Sequence, residues 1–307
     1  MRSLLLLLVG LCLPLFAQAE YSRTYLESHP LQMAKVGELD IAYRIVAPGP
    51  DKPKAVVIMG LGGSNVAWGD ALISGLADGG YEILLLDNRD TGASTRFDEW
   101  GQPVLWWELL KYQFGFSVNA PYTLNDMGAD IAGLMDVTGY SNAHIIGASM
   151  GGMIAQVVAA QYPEKTRSLI SIMSTTNAPH LPPPTDEAEM NLRNLATGEA
   201  QSEREQSIRD RGFYPESMQR HLMAIFKTGD RSEEVATITA PTLVLHGADD
   251  GLVPPEHGEH TASLIAGSRF LLIEGMAHNM PEDVIPILVS EMTAHMDRAE
   301  GRPVAAR

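Results

Sequence analysis

The sequence predicts an α/β fold, a mostly parallel sheet flanked by helices on both faces and interrupted by a helical cap insertion. Three observations predict it. Short apolar runs rich in Val, Ile and Leu alternate with longer stretches of helical periodicity, as in a parallel sheet wrapped by helices. The apolar runs are continuous rather than alternating, as in strands buried on both faces. From Thr175 to about Ala236, after "APHLPPPTD", the chain turns polar and helical with no strand pattern.

In chain order, "MRSLLLLLVGLCLPLFAQAE" has one basic residue, an apolar stretch from Leu4 to Phe16 and Ala17-Gln18-Ala19 before Glu20. This is the layout of a cleavable export signal over residues 1–19. The apolar stretch is shorter than the roughly 20 residues a spanning helix needs, so the expected chain is exported, to a periplasm or the medium, without stable membrane insertion. Next, "MAKVGELDIAYRIV" places Gly37-Glu38 between two strand-like pieces, an antiparallel hairpin at the sheet edge. Strands are expected in "AVVIMG" from Ala55, "EILLLDNR" from Glu82, "NAHIIG" from Asn142, "RSLISIM" from Arg167, "PTLVLHG" from Pro241 and "RFLLIEG" from Arg269. Helices are expected at about 66–78, 123–138, 150–161, 255–266 and 281–297. A second interruption, 93–122, holds Trp100, Trp106, Trp107, Tyr112, Phe114 and Phe116 and reads as a loop. The domain reading is a core of 20–174 and 237–307 with the cap at 175–236.

Composition narrows the function classes. Hydrophobic content of 45% with 20% charged residues is that of a globular chain, and the net charge of -16 opposes nucleic-acid phosphates and anionic lipid surfaces. Cys12, inside the signal, is the only cysteine. The processed chain therefore has neither a disulfide nor thiol chemistry.

The motif "HIIGASMGGMIAQ" sets Ser149 between an apolar run and an apolar helix pattern, with Gly147 and Gly151 two positions to either side. A serine on a tight strand-to-helix turn takes a strained backbone conformation that leaves no room for side chains at those two positions. Met150 could then aim its backbone N–H at an oxyanion from the first helical turn. The blander reading makes Ser149 a helix cap. Attack by a serine hydroxyl needs a histidine base, an acid to orient it and a second oxyanion donor. Among the histidines after the acid loop, His257 and His260 fall in the helix pattern "PPEHGEH" and His295 in the terminal helix, positions natural for solvent-facing side chains. His278, in "IEGMAHNMPED", follows an apolar strand. "LVLHGADDGLVPPEHG" offers two adjacent acids, of which Asp250 precedes Gly-Leu-Val-Pro and is preferred to Asp249. The glycines of "VIMGLGGSNVAW" let backbone approach a ligand, with the Leu61 N–H as second donor. In the cap, "PESMQRHLMAIFKTGD" puts Met218, Leu222, Ile225 and Phe226 on one helical face, either the roof of an apolar pocket or packing onto the core. Trp106 and Trp107 are either an entrance wall or a satellite core under the cap.

"GASMGG", "HGADDGLVP" and "GMAHNMP" together resemble the nucleophile elbow, acid loop and histidine loop of the α/β-hydrolase family, over essentially the whole chain after the signal. "LLLDNRDTGAS" is similar to its strand-four motif, with Arg89-Asp90 where many members have Arg-Gly. The resemblance is to the small carboxylesterase and methylesterase branch, aclacinomycin methylesterases among them. It implies Ser149 as nucleophile, His278 as base, Asp250 as orienting acid, and Leu61 and Met150 as backbone oxyanion donors, with no metal or organic cofactor. Where many relatives have His-Gly, this chain has Met59-Gly60. Arg89 and Asp90 are expected as a structural ion pair near the site. The expected activity is hydrolysis of a small ester with an apolar acyl or alkyl group. A perhydrolase or haloperoxidase, a lactonase and an amidase would use the same residues, and a non-catalytic binding protein would not need all three. His257 and His260 have a spacing that suggests a metal, but no third ligand pattern accompanies them.

Overall fold

In the computed structural model, which describes residues 22–188, 190 and 202–304, eight strands form one sheet: β1 Gln32–Val36, β2 Leu39–Val46, β3 Lys54–Ile58, β4 Glu82–Leu86, β5 Ala143–Ala148, β6 Thr166–Ile172, β7 Thr242–Gly247 and β8 Arg269–Ile273. Their order is β1-β2-β4-β3-β5-β6-β7-β8. The β1–β2 hairpin closes at Gly37 (φ 56) with Val36 opposite Leu39, and β2 pairs antiparallel with β4. All later pairings are parallel. Every residue of β4, β5 and β7 is buried, as the unbroken apolar runs require of strands covered on both faces.

One face is covered by helices Asp70–Asp78 and Ile285–Ala299, with Leu72, Ile73, Leu76, Leu288 and Met292 in its core. The other is covered by helices Leu124–Thr138 and Met150–Gln161, through Met127, Ile131, Leu134, Ile154 and Val158. Each such aliphatic side chain contributes about 1.5–3 kcal/mol by leaving water. Helix Leu124–Thr138 starts on a capping box, Thr123 accepting from the Asp126 N–H while Asp126 accepts from the Thr123 N–H, and ends on Gly139 in the left-handed conformation. Between β6 and β7 lie helices Ser202–Asp210, Pro215–Thr228 and Ser232–Val235.

Four expectations need correction. The first expected helix, 66–78, is broken at Gly69 (φ 71) into a 3₁₀ turn Asn65–Trp68 and helix Asp70–Asp78. The Trp-rich stretch contains helix Leu105–Gln113, whose apolar residues mask its periodicity. The last helix begins at Ile285 rather than Pro281. Finally, His257, His260 and His295 are not free in solvent. His295 is buried and its Nε2 meets Pro241 O at 3.2 Å; His257 sits 2.6 Å from Thr175 Oγ1 and 2.8 Å from Pro182 O; the His260 ring packs edge-on to His180. The candidate export signal, 1–19, lies outside the described residues, as do 189 and 191–201 of the expected cap. Among the described residues no helix is long and apolar enough to cross a membrane.

The core also holds neutral histidines. Burial pushes His144 down to about 3, helped by the neighbouring His295, Arg167 and Arg302, each of which disfavours a second positive charge there, and pushes His221 and His295 down to about 4. A depressed histidine stabilises the fold fully above the ordinary value of 6.5, and that stability is lost as pH falls toward the folded value, because the unfolded chain takes up the proton first. Asp87 and Asp130, whose carboxyls burial raises, act with the opposite sign, so the histidine share is read from a variant. Between pH 7.5 and pH 4.5 the Tm of His144→Gln, whose side chain stays neutral, is expected to fall several degrees less than wild type. Identical pH dependence in thermal unfolding would contradict this.

Candidate active site

The carboxyl ends of the parallel strands converge on one edge of the sheet, where open α/β sheets bind ligands. Ser149 stands there between β5 and helix Met150–Gln161, with φ 55 and ψ −123. Such a conformation in a non-glycine residue costs on the order of 1–3 kcal/mol and is held from several sides. The Ser149 N–H donates to Ile172 O (2.9 Å), and its carbonyl accepts from the Gly152 N–H (2.9 Å) and the Ser174 hydroxyl (2.8 Å). The flanking glycines follow from contact. A Cβ on Gly147 would collide with the Gly151 carbonyl, and one on Gly151 with the Ile58 carbonyl of β3.

His278, in the loop after β8, reaches Ser149 Oγ with Nε2 at 2.9 Å and Asp250 Oδ2 with Nδ1 at 2.8 Å. A carboxylate can only accept, so Nδ1 carries the proton and Nε2 presents its lone pair to the serine O–H. Asp250, after β7, is buried. Its Oδ1 accepts from the N–H groups of Leu252 (3.0 Å) and Val253 (2.9 Å), and His246 Nε2 lies 3.5 Å from Oδ2 while donating to Val253 O at 2.7 Å. Burial alone would raise this carboxyl, but the hydrogen bonds of His246 and His278, the attraction of His278 and the Val253 N–H outweigh it and hold it well below the carboxylate range. Asp249 is exposed and makes the turn instead, its N–H donating to Met276 O at 3.0 Å.

The loop after β3 lies against the serine. A Cβ on Gly60 would stand 3.0 Å from Ser149 Cβ and 3.4 Å from the Met150 nitrogen, so the Gly60-Leu61 backbone and the Met150 N–H border the same space. His221, on helix Pro215–Thr228, reaches this loop: the Gly62 N–H donates to its Nδ1 at 3.1 Å. No motif marks His221 or His246 as a site residue: His221 bridges residues far apart in sequence and carries no local signature, and His246 is one residue of the apolar strand run.

The expected Arg89–Asp90 pair is corrected. Arg89 forms a bidentate pair with Asp130 (2.6 and 2.8 Å), whereas Asp90 is held by Arg220 Nε and Nη2 (2.6 and 2.8 Å) and the Tyr122 hydroxyl (2.7 Å). Of the apolar residues expected near a substrate, Met218 is buried against Gly62 and Leu222, like Leu61, packs against the core cluster of helices Leu124–Thr138 and Met150–Gln161. Phe226 pairs with Tyr112 at 4.7 Å. Trp106 and Trp107 are 68% and 48% exposed, which rules out a satellite core under the cap. Among the described residues no group of three His, Cys, Asp or Glu side chains is placed to hold a metal ion.

Comparison with known proteins agrees with this architecture. The family model for the alpha/beta hydrolase fold matches residues 56–212, and the chain belongs to that family. Rhodomycin D methylesterase DauP of Streptomyces sp. (strain C5) is 25% identical over 311 residues, covering 87% of this chain and 98% of that protein. The enol-lactonase from Burkholderia xenovorans LB400 superposes with a TM-score of 0.65 at 18% identity, over 86% of this chain and 99% of that one. A thermophilic esterase from Thermogutta terrifontis does so with a TM-score of 0.64 at 21% identity, over 88% and 99%. These two structures share the fold.

Proposed function

We propose that this hydrolase is a serine carboxylesterase. The observation that carries the reading is the continuous hydrogen-bonded line Asp250–His278–Ser149, ending on a serine held in a strained elbow. In the proposed reaction His278 Nε2 takes the Ser149 proton as Oγ attacks the ester carbonyl. Negative charge then develops on the carbonyl oxygen, toward the Leu61 and Met150 N–H groups. The imidazolium, stabilised by Asp250, returns the proton to the departing alcohol. Water, deprotonated by the same histidine, then attacks the acyl-enzyme, the Ser149 Oγ–acyl bond breaks to free the acid, and His278 returns the proton to Oγ. Every proton passes through one histidine, so the residues named suffice for the cycle.

Similarity to a methylesterase supports an ester as substrate, and Met218, Leu222 and Phe226 on the cap helix support an apolar acyl or alkyl group beneath it. Trp106 and Trp107, standing in solvent, are assigned to the entrance. We place the protein outside the cytoplasm, in a periplasm or the medium, on the strength of residues 1–19; their absence from protein recovered in the exported fraction is the corresponding check.

Purified protein lacking residues 1–19 is expected to hydrolyse p-nitrophenyl acetate without added metal or peroxide. Absence of turnover by folded protein, or turnover only with peroxide, would remove this reading in favour of a binding protein or a perhydrolase.

A further inference from the structure

We infer that His221, contributed by the insertion between β6 and β7, is a positioning residue that sets the oxyanion donor of Leu61 by holding the loop after β3 from above. The inference rests on the serine-hydrolase reading and extends it to a residue outside the Ser149–His278–Asp250 line.

His221 is fully buried and uses both ring nitrogens. Nε2 faces a carbonyl, Arg89 O at 3.1 Å, and so carries the proton. That leaves Nδ1 as an acceptor, and it takes the Gly62 N–H at 3.1 Å. Arg89 follows β4 and Gly62 follows β3. One imidazole therefore fixes the spacing between two loops at the catalytic edge. The Gly62 carbonyl is fixed as well, by the Tyr214 N–H at 2.8 Å. The peptide that carries the Leu61 N–H is closed into a turn by the Gly63 N–H donating to Gly60 O at 3.0 Å, and His221 and Tyr214 hold that turn in place through the two peptide groups flanking Gly62.

Further contacts bind the same loop to the same segment. The Ser64 N–H and hydroxyl both donate to Gly212 O, at 2.9 and 2.8 Å, and Gly63 forms a bridge with Phe213. Met59, at the loop's start, has no side-chain donor or strong acceptor of its own. The stretch from Gly212 to His221 is thus a clamp on residues 62–64, directly after Leu61. Its position is fixed in turn by the buried Arg220–Asp90 pair one residue from His221. Burial keeps the imidazole neutral at ordinary pH, as its acceptor role requires.

An oxyanion donor contributes only when it lies about 2.7–3.1 Å from the developing charge, and losing one costs about 10²–10³-fold in kcat. Loosening Leu61 without removing it should cost part of that. The test compares His221→Asn, whose Oδ1 can occupy the place of Nδ1 and accept from Gly62, with His221→Leu and His221→Gln. The Gln amide is one methylene longer and mimics Nε2 instead. On p-nitrophenyl acetate, His221→Leu and His221→Gln are expected to lose about 10–100-fold in kcat with KM within about twofold, and His221→Asn to stay within a few-fold of wild type. If His221→Leu does not fold, the Asn and Gln pair carries the comparison, with Tm measured for each. Wild-type kcat in both Leu and Gln variants, or equal loss in Asn and Gln, would overturn the inference, as would KM rising in step with the fall in kcat. Ser149→Ala is assayed alongside. Wild type no faster than Ser149→Ala would bring down the serine-hydrolase reading itself, whereas inactive Ser149→Ala beside fully active His221→Leu and His221→Gln would bring down only the role of His221.

Discussion

Ser149→Ala is expected to lower kcat for ester hydrolysis by about 10⁶-fold while leaving Tm within a degree or two of wild type. The two halves of that expectation have separate causes. Removing Oγ deletes the atom that would bond to the acyl carbon, and it is the hydroxyl that His278 Nε2 meets at 2.9 Å. The backbone around residue 149 is held by main-chain contacts and by Ser174, none of which uses the deleted oxygen. Alanine also suffers the same φ 55 strain as serine, so the strain does not change. Asp250→Asn should be milder, about 10⁴-fold, because the amide can present an N–H to Nδ1 and leave the proton on Nε2, where it blocks attack. Stopped-assay rates with a fluorogenic ester, beside thermal melts of each variant, measure both halves. A Ser149→Ala protein that is folded and retains more than about a hundredth of wild-type kcat contradicts the assignment.

Arg220→Met, unlike Ser149→Ala, is expected to lower stability strongly. Arg220 and Asp90 are both almost fully buried and are joined by a two-point contact, with Arg220 Nη2 also reaching Asp98 at 2.7 Å. Burial would raise the Asp90 carboxyl. Arg220, the Phe97 N–H, the Tyr122 hydroxyl and nearby His221 hold it below its ordinary value instead. Methionine fills similar volume but removes the two-point contact, leaving the buried Asp90 charge with only the more distant Arg96 guanidinium at 3.7 Å, and breaking a buried pair in this way typically costs about 3–5 kcal/mol. At a few degrees per kcal/mol, Tm should fall by roughly 10 °C. The double variant Asp90→Asn/Arg220→Met, which removes both charges, should recover a large part of that loss. Additive losses in the double variant would mean the two charges are not coupled.

The fold was legible because its signals are local. Unbroken Val, Ile and Leu runs announce strands buried on both faces, and the elbow at Ser149 is a contact between residues four apart, Gly147 and Gly151, that steric crowding writes directly into the sequence. Asp250 and His278 were readable because each follows a strand at the edge where the serine emerges. What the sequence withheld depends on long closures. His221 meets Gly62 across 159 positions and Arg220 meets Asp90 across 130, and nothing near either residue names its partner. The same holds for Arg89, whose adjacent Asp90 suggested a pair that the structure divides between two different helices. Local chemistry left one choice open, since the aromatic residues around Trp106 and Trp107 suit either an entrance wall or a covered cluster, and the helix carrying them leaves both in solvent.

Reaction with an alkyl fluorophosphonate, followed by intact mass and peptide mapping, tests the central claim most directly, because the reagent reacts far faster with a serine whose proton a neighbouring base can remove than with an ordinary hydroxyl. The account requires one adduct per chain, on the peptide carrying Ser149, formed with loss of fluoride and in step with loss of esterase activity. It also requires that labelling be absent in Ser149→Ala and slowed in Asp250→Asn. Folded protein that takes up no label, or that is inactivated by label on another residue, would contradict it.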